Sequence, residues 1–508
     1  MVSRSCLYER RGVVMKILSL SALILLPLIS SVMLFLPFFN TVRKIRCFAQ
    51  ISASIHFIYM LLFLAMYNPF SPESALREVY RWIEPLGISF SLSLDGISLI
   101  CAVLTSFVFL MAIVASKHHI KEHQRFYYSM VFLLQAAVLG VFFAHDMFLF
   151  FMFWELELVP MYFLISIWGS GKKEASAMKF LLYTFGGSIF MLMSILGLYY
   201  CHYVQTGMLT MDMDYIGLYN DYPEVLKYLA FVGFFIAFGV KLPVVPLHSW
   251  LPSAHVDASA PVSMMLAGVL LKLGGYGLIR VNLFFFPDIF VKFSFAVFVL
   301  GIINIVYASC VAFVQSDIKR QVAYSSIAHM GIFLVVLGAL NAVGMCGAVF
   351  QMVSHGLISA GLFMVIGMIY LRTHTRDISL LGGLGKVLPG VYYLTLVVVF
   401  ASIGVPLLSG FPGEIMSFFG AFISGNEPVR HFVFAAMIGV ILTPVYMLNM
   451  VRGVFGGVLL ERFKKIERMH VHEAVVMISI VFAIVLIGVY PVSIMKIFAP
   501  MIENFFSI

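Results

Sequence analysis

Four charged residues stand inside long apolar stretches of this 508-residue chain: Glu155, Lys241, Lys272 and Glu414. An ionisable side chain at mid-membrane costs about 2.5–3.5 kcal/mol on insertion scales, so each asks for a partner or a function. Without a cofactor, the chemistry open to carboxylates, amines and imidazoles in such a place is the uptake and release of protons.

Glu155 lies in MFLFFMFWELELVPMYFLISIWG, a few turns after Met147 and so about 12 Å along a helix that starts there. Glu157 follows about 200° further around the same helix, so only one of the two faces a given neighbour, and its role stays open. Lys241 sits in FFIAFGVKLPVVPLHSWLPSAH, where Pro243 and Pro246 cannot donate helix hydrogen bonds and Gly239 loosens the preceding turn. A helix should break there. Interrupted spanning helices persist only where freed carbonyls face protein or a hydrated cavity, a setting that marks ion sites in transporters.

Lys272, in PVSMMLAGVLLKLGGYGLIR, comes roughly 16 Å into a helix starting near Pro261, too deep to snorkel easily. Gly268, Gly274 and Gly275 let neighbouring helices approach and favour a bundle-interior position. Glu414 belongs to LVVVFASIGVPLLSGFPGEIMSFFG, where Gly404, Pro406, Gly410, Pro412 and Gly413 signal a second interrupted helix. Paired interruptions in two halves of a chain hint at a duplicated transport unit.

His248, His255, His329 and His355 lie in or beside apolar runs, with Tyr324, Ser325 and Ser326 near His329. Imidazole relays protons near neutral pH. The plainer readings are structural ion pairs for the carboxylates, a proline kink with a neutralised lysine at Lys241, and hydrogen-bonded core histidines. No pair of histidines has the tight helical spacing of a zinc site, and no metal is expected.

The elements that must position these groups are membrane-spanning helices. The chain is 62% hydrophobic and 11% charged, with a mean hydropathy of +1.02, far from the composition of soluble domains. Fourteen apolar runs are long enough to span, near 16–39, 47–67, 96–116, 126–144, 147–169, 177–201, 226–250, 258–280, 291–314, 321–341, 343–371, 388–420, 429–452 and 473–498. The expected fold class is therefore an all-α integral membrane protein of about 14 transmembrane helices. The net charge of +8 sits in short loops, as topology signals do, which argues against nucleic acid as a partner.

Assigning loops alternately puts nineteen Lys and Arg on one face and eleven, with the termini, on the other. The positive-inside rule then places both termini outside. Arg4, Arg10 and Arg11 are three of the contrary charges, and a start at Met15 rather than Met1 would remove them. Between the second and third runs, GISFSLSLD alternates with period two and predicts a strand in a short external hairpin. The six cysteines show no C-x-x-C spacing, and no dinucleotide or P-loop motif occurs, so the chain is expected to carry no cofactor.

Four stretches together, FWELELVPMYFLISIWG, GVKLPVVPLHSWLPSAHVDASAPVSMMLAGVLLKLGGYGLIR, SDIKRQVAYSSIAHMG and GFPGEIMSFFG, resemble the proton-pumping, antiporter-like membrane subunits of respiratory complex I, which are related to subunits of sodium/proton antiporters. The likeness extends over nearly the whole chain, and Glu414 stands where several relatives have lysine. The resemblance implies two inverted five-helix repeats, each with a broken helix. On that plan, residues 1–125 form peripheral helices 1–3 with the external hairpin. Residues 126–281 form the first repeat (helices 4–8), 282–452 the second (helices 9–13), and 453–508 helix 14.

The resemblance also implies that Glu155 pairs with Lys241, Lys272 bridges the halves, His329 and His355 lie on the connecting path, and Glu414 ends the relay. A proton on Glu155 would loosen its hold on protonated Lys241 and push that proton onward. The expected protein partners are other membrane-arm subunits, above all the neighbouring antiporter-like chains, with NADH, FMN, iron–sulfur clusters and quinone held in partner subunits. The bilayer and protons are this chain's own partners, in a bacterial cytoplasmic membrane rather than a mitochondrial one. The competing functions are a cation/proton antiporter subunit and a structural membrane scaffold.

Overall fold

The structure, a computed structural model, describes residues 19–69, 76–219 and 221–507. The choice between Met1 and Met15 lies outside them. Two helices open the described chain, α1 (Leu20–Met33) and α2 (Val42–Met66), followed by an antiparallel hairpin of β1 (Leu76–Ile83) and β2 (Ile88–Leu94). The alternating GISFSLSLD becomes β2, in register from Leu94 opposite Leu76 to Ile88 opposite Ile83.

The first half continues with α3 (Gly96–His119), α4 (Gln124–Phe143), α5 (Met147–Leu156), α6 (Leu158–Trp168), α7 (Lys173–Thr206), the short α8 (Met213–Leu218), α9 (Glu224–Lys241) and α10 (Trp250–Asp257). A long helix, α11 (Ala260–Leu283), follows, with π-helical turns at Leu266–Leu270 and Leu278–Leu283. The second half holds α12 (Pro287–Phe313), α13 (Ile318–Ala339), α14 (Ala342–Thr373), α15 (Pro389–Ser402), α16 (Gly410–Phe422), α17 (Glu427–Phe455), α18 (Val471–Val489) and α19 (Val492–Ser507).

Among the described residues, 11 helices, counting α5 with α6 as one, are long and apolar enough to cross a membrane, while α1 and α15 are shorter apolar helices. The protein is thus a mostly helical, multi-pass membrane protein. Polar caps set where several spans begin. Asp95, Asp146, Asp317 and Asn341 each accept hydrogen bonds from the first free backbone N–H groups of α3, α5, α13 and α14.

Burial is uneven across the bundle. The apolar spans of α11 and α14 are 100% buried and that of α13 is 94% buried, against 28% for α2 and 33% for α17 and α18. An interior column therefore runs through α11, α13 and α14, with the outer helices turning apolar faces outward. Although α3 follows α1 and α2 in sequence, it belongs to this interior, packing on α11 and α14 with 83% of its span buried. Gly268 and Gly356 make the α11–α14 crossing close, since a Cβ on Gly268 would already lie 3.3 Å from the Gly356 carbonyl oxygen.

Both helices flagged by proline and glycine are interrupted. The chain leaves helical geometry between α9 and α10, and again between α15 and α16. Lys241 is the last residue before the first gap, and Glu414 sits in the first turns after the second.

Candidate functional site: a line of buried charge

At the first gap, Lys241 is 1% exposed and its Nζ is ion-paired with Glu157, whose side chain is 0% exposed. Trp154 and Phe180 offer ring faces to the ammonium at 5.3 and 5.5 Å from their centroids. This corrects the pairing expected from the resemblance: Glu157, not Glu155, makes the direct contact. Glu155 acts on Lys241 only at longer range, and its Oε1 is buried without a hydrogen-bond partner. The reason is local. Pro160 cannot donate to the Leu156 carbonyl, and α5 gives way to α6 at Glu157, where the flanking backbone hydrogen bonds stretch to 3.3 Å. That loosened turn carries Glu157 to the lysine.

The groups freed by the first gap find neutral partners. Val245 N–H donates to Asn304 Oδ1 at 2.7 Å, Asn304 Nδ2 donates to the Pro243 carbonyl at 3.2 Å, and Trp250 Nε1 donates to the Val240 carbonyl at 2.9 Å. Asn304, wholly buried on α12, was overlooked by the sequence reading, although a lone amide in LGIINIVYASC is the kind of signal that finds such a residue. His248 lies within the gap, 7% exposed, with its ring edge-on to Tyr307 at 5.2 Å and near Tyr324. It is placed beside the break rather than on the Lys241 pair.

Lys272, wholly buried on α11, donates to the Ala267 carbonyl at 2.5 Å and lies 2.8 Å from His355 Nδ1 on α14. The carbonyl it meets belongs to the π-helical turn, where the i→i−4 ladder is displaced. The His355 ring lies 5.6 Å, centroid to centroid, from that of His329 on α13. His329 Nδ1 is 2.7 Å from the Ser325 carbonyl, and its Nε2 is 3.0 Å from the Ser402 carbonyl and 3.7 Å from Glu414 Oε1. Both ring nitrogens thus face carbonyl oxygens, which only accept, so whichever nitrogen carries a proton donates it to the backbone.

Glu414 is held against the second gap. Gly404 there has φ 71°, and a side chain on it would run into the Glu414 carboxylate, so this position needs glycine twice over. Beside Glu414 and His329 lies a cavity of about 10 Å³, lined also by Ser402 and Thr443, which is room for about one water. Lys272, His355, His329 and Glu414 are therefore brought into one contiguous chain, while Lys241, Glu157 and Glu155 form a separate cluster.

The fold and this buried charge define a class: a multi-span membrane protein built around ionisable groups in its interior. Residues 144–443 match the family described as NADH:quinone oxidoreductase/Mrp antiporter, transmembrane. A relative from Thermosynechococcus vestitus named NAD(P)H-quinone oxidoreductase chain 4 2 is 42% identical over 480 residues, covering 93% of this chain and 89% of that one. Another from Nostoc sp., NAD(P)H-quinone oxidoreductase chain 4 1, is 40% identical over 93% of this chain and 88% of its own length. A chain in the structure titled respiratory complex I from Thermus thermophilus with bound NADH superposes with a TM-score of 0.85 at 25% identity, covering 96% of this chain and 99% of that one. The chain belongs to the NADH:quinone oxidoreductase/Mrp antiporter family, in the branch of its chain 4 relatives.

Proposed function

We propose that this chain translocates protons as the chain 4 membrane-arm subunit of an NAD(P)H:quinone oxidoreductase, using the buried line from Lys272 through His355 and His329 to Glu414. The observation that carries the reading is the continuity of that line: four titratable side chains from α11, α14, α13 and α16 meet inside helices that are otherwise apolar.

The ammonium of Lys272 hands its proton to His355 Nδ1 along a 2.8 Å contact. His355 passes it toward His329, and His329 gives it to the Glu414 carboxylate, with the small cavity supplying the water that closes the last gap. The Lys241–Glu157 pair acts as the switch upstream. When a proton settles on the carboxylate cluster, the hold on the Lys241 ammonium weakens, and the released charge biases Lys272. His248, in the first gap against Tyr307, is a further titratable group of this half.

Electron transfer and its nicotinamide, flavin, iron–sulfur and quinone groups reside in partner subunits on this reading, with neighbouring antiporter-like chains alongside in the membrane. Fourteen crossings in two inverted five-helix repeats fit the two helix–gap–helix units. The membrane is a bacterial cytoplasmic one with both termini outside, in keeping with the basic loops and the cyanobacterial relatives.

The test is NADH-driven proton uptake into vesicles carrying the assembled complex with Glu414→Gln, with quinone turnover measured in parallel and assembly checked on a native gel. Loss of uptake and of coupled turnover in an assembled complex is the expected result. Uptake at the parental ratio to NADH oxidised would sink the relay.

A further inference from the structure

The end of α11 nearest the β1–β2 hairpin carries a group of polar side chains that the relay does not use. Lys272 and Tyr276 share the α-helical stretch Leu271–Gly277, so they stand on one face with Cβ atoms about 5–6 Å apart. Arg280 lies in the π-helical turn that ends the helix, and its Nε donates to the Tyr276 hydroxyl at 3.2 Å. A terminal nitrogen of the same guanidinium is ion-paired with Asp95, the residue that joins β2 to α3. A ladder of polar groups thus climbs from beside the buried lysine to the hairpin face, where the Arg280 and Asp95 side chains are 16% and 15% exposed.

Every link in that ladder is set against proton transfer. Tyr276 is 2% exposed; its one O–H proton goes to the Phe142 carbonyl of α4 at 3.0 Å, and its oxygen accepts from Arg280. A guanidinium keeps its protons and has no acceptor atom. The rings of Tyr276 and Phe284 flank it, with centroids 5.6 and 5.9 Å from Cζ. Both Asp95 oxygens are taken: Oδ1 accepts from the Ile97 and Ser98 N–H groups at 2.9 Å, and Oδ2 meets Arg280. The C-terminal helix α19 closes over the pair. Its Phe505 packs on Phe284 with centroids 4.5 Å apart, and the Ile497 carbonyl lies so near Gly96 that no Cβ would fit there. Lys272 itself turns the other way, donating to the Ala267 carbonyl, five residues nearer the start of α11, and meeting His355.

We propose that Arg280, held by Asp95, is an insulating plug that keeps protons from passing directly between Lys272 and the hairpin face. The inference rests on the proton-translocating reading above and adds what stops that relay from short-circuiting. A proton approaching from the hairpin face meets a fixed positive charge before it meets the Tyr276 hydroxyl, the device by which an arginine excludes protons from a water pore. A proton on Lys272 is therefore left with the sideways route through His355.

The experiment uses vesicles carrying the assembled complex and reads two quantities: the decay of an imposed pH gradient without NADH, and proton uptake per NADH oxidised. Arg280→Met combined with Asp95→Asn removes both charges at once, so neither is left unpaired, and the amide still accepts at the start of α3. This double variant is expected to dissipate the gradient several-fold faster than the parent and to oxidise NADH at the parental rate or above with fewer protons taken up. Adding Lys272→Met should return the decay to the parental rate, which general damage to packing would not do. Where the double variant assembles poorly, Arg280→Gln, whose amide still donates to Asp95, gives the same readout.

Parental decay in the charge-free variant, or a fast decay that Lys272→Met does not slow, overturns the plug. Lowered turnover with parental decay would make the ladder part of the proton path rather than its insulation, and overturns the plug as well. Glu414→Gln run alongside separates the two levels. If it abolishes uptake while the double variant neither leaks nor loses protons per NADH, the plug fails and the relay stands. A parental ratio in Glu414→Gln sinks the relay, and the plug still stands or falls on the gradient decay, which needs no NADH.

Discussion

The two interrupted helices share a sequence grammar of glycine and proline, yet their freed backbone groups end in different hands. At the first gap the orphan N–H and C=O groups are taken by an amide, Asn304, and an indole, Trp250, neither of which titrates. The charge there, Lys241, is neutralised by a separate residue, Glu157. At the second gap the Ser402 carbonyl faces His329, which also lies 3.7 Å from Glu414. Backbone support and proton carriage are thus separated at the first gap and joined in one imidazole at the second. The first gap can hold its shape while its charges change, whereas a change of protonation at His329 also alters what the second gap's backbone rests on.

The largest effect should come from breaking the first gap's ion pair on one side only. Lys241→Ala leaves Glu157 buried without a counter-charge, a loss of about 3–5 kcal/mol, seen as poor assembly on a native gel and early thermal inactivation. The double variant Glu157→Gln with Lys241→Met should recover much of that stability without recovering proton uptake. If the single variant were as stable as the parent, the ion pair would not be what holds the charge at this gap.

Asn304→Leu should come next. It strips partners from the Val245 N–H and the Pro243 carbonyl, at about 1–3 kcal/mol per orphaned group, and lowers the inactivation temperature. Protons moved per NADH should stay unchanged in the complex that survives. His329→Gln sharpens the contrast from the other side. An amide can still donate to the Ser402 carbonyl, so the stability loss should be about 1 kcal/mol, while proton uptake is lost. A pumping defect in Asn304→Leu equal to that in His329→Gln would erase the distinction between the gaps. The smallest change in stability, under about 1 kcal/mol, is expected for Glu155→Gln, whose Oε1 bonds to nothing. Comparing its proton uptake with that of Glu157→Gln tells which carboxylate works the switch.

How far the site could be read in advance follows from how local each signal is. Pro243, Pro246, Gly404 and Pro406 act within a turn of themselves, so both interruptions were legible, as was the β2 strand from its period-two pattern. The burial of Lys241 and Lys272 followed from their depth in apolar runs, and the chain of four from Lys272 to Glu414 was legible from the residues as a set of types and as a path only through the family resemblance. Glu157 was not assigned, because two carboxylates about 200° apart on a helix are equivalent until something distorts the turn between them. The role of Asn304 escaped for a different reason: it matters through backbone partners some 60 residues away.

The sequence by itself determined the solvent, since continuous apolar runs of about 20 residues satisfy their backbone in lipid as helices, and it determined where those helices must break. Tertiary structure decided which carboxylate meets Lys241, and that His355 and His329 link Lys272 to Glu414. The physical reason is one of range: helix formation and interruption are set by hydrogen bonds a few residues apart, whereas the pairing of buried charges depends on which faces α11, α13, α14 and α16 turn toward one another when they pack.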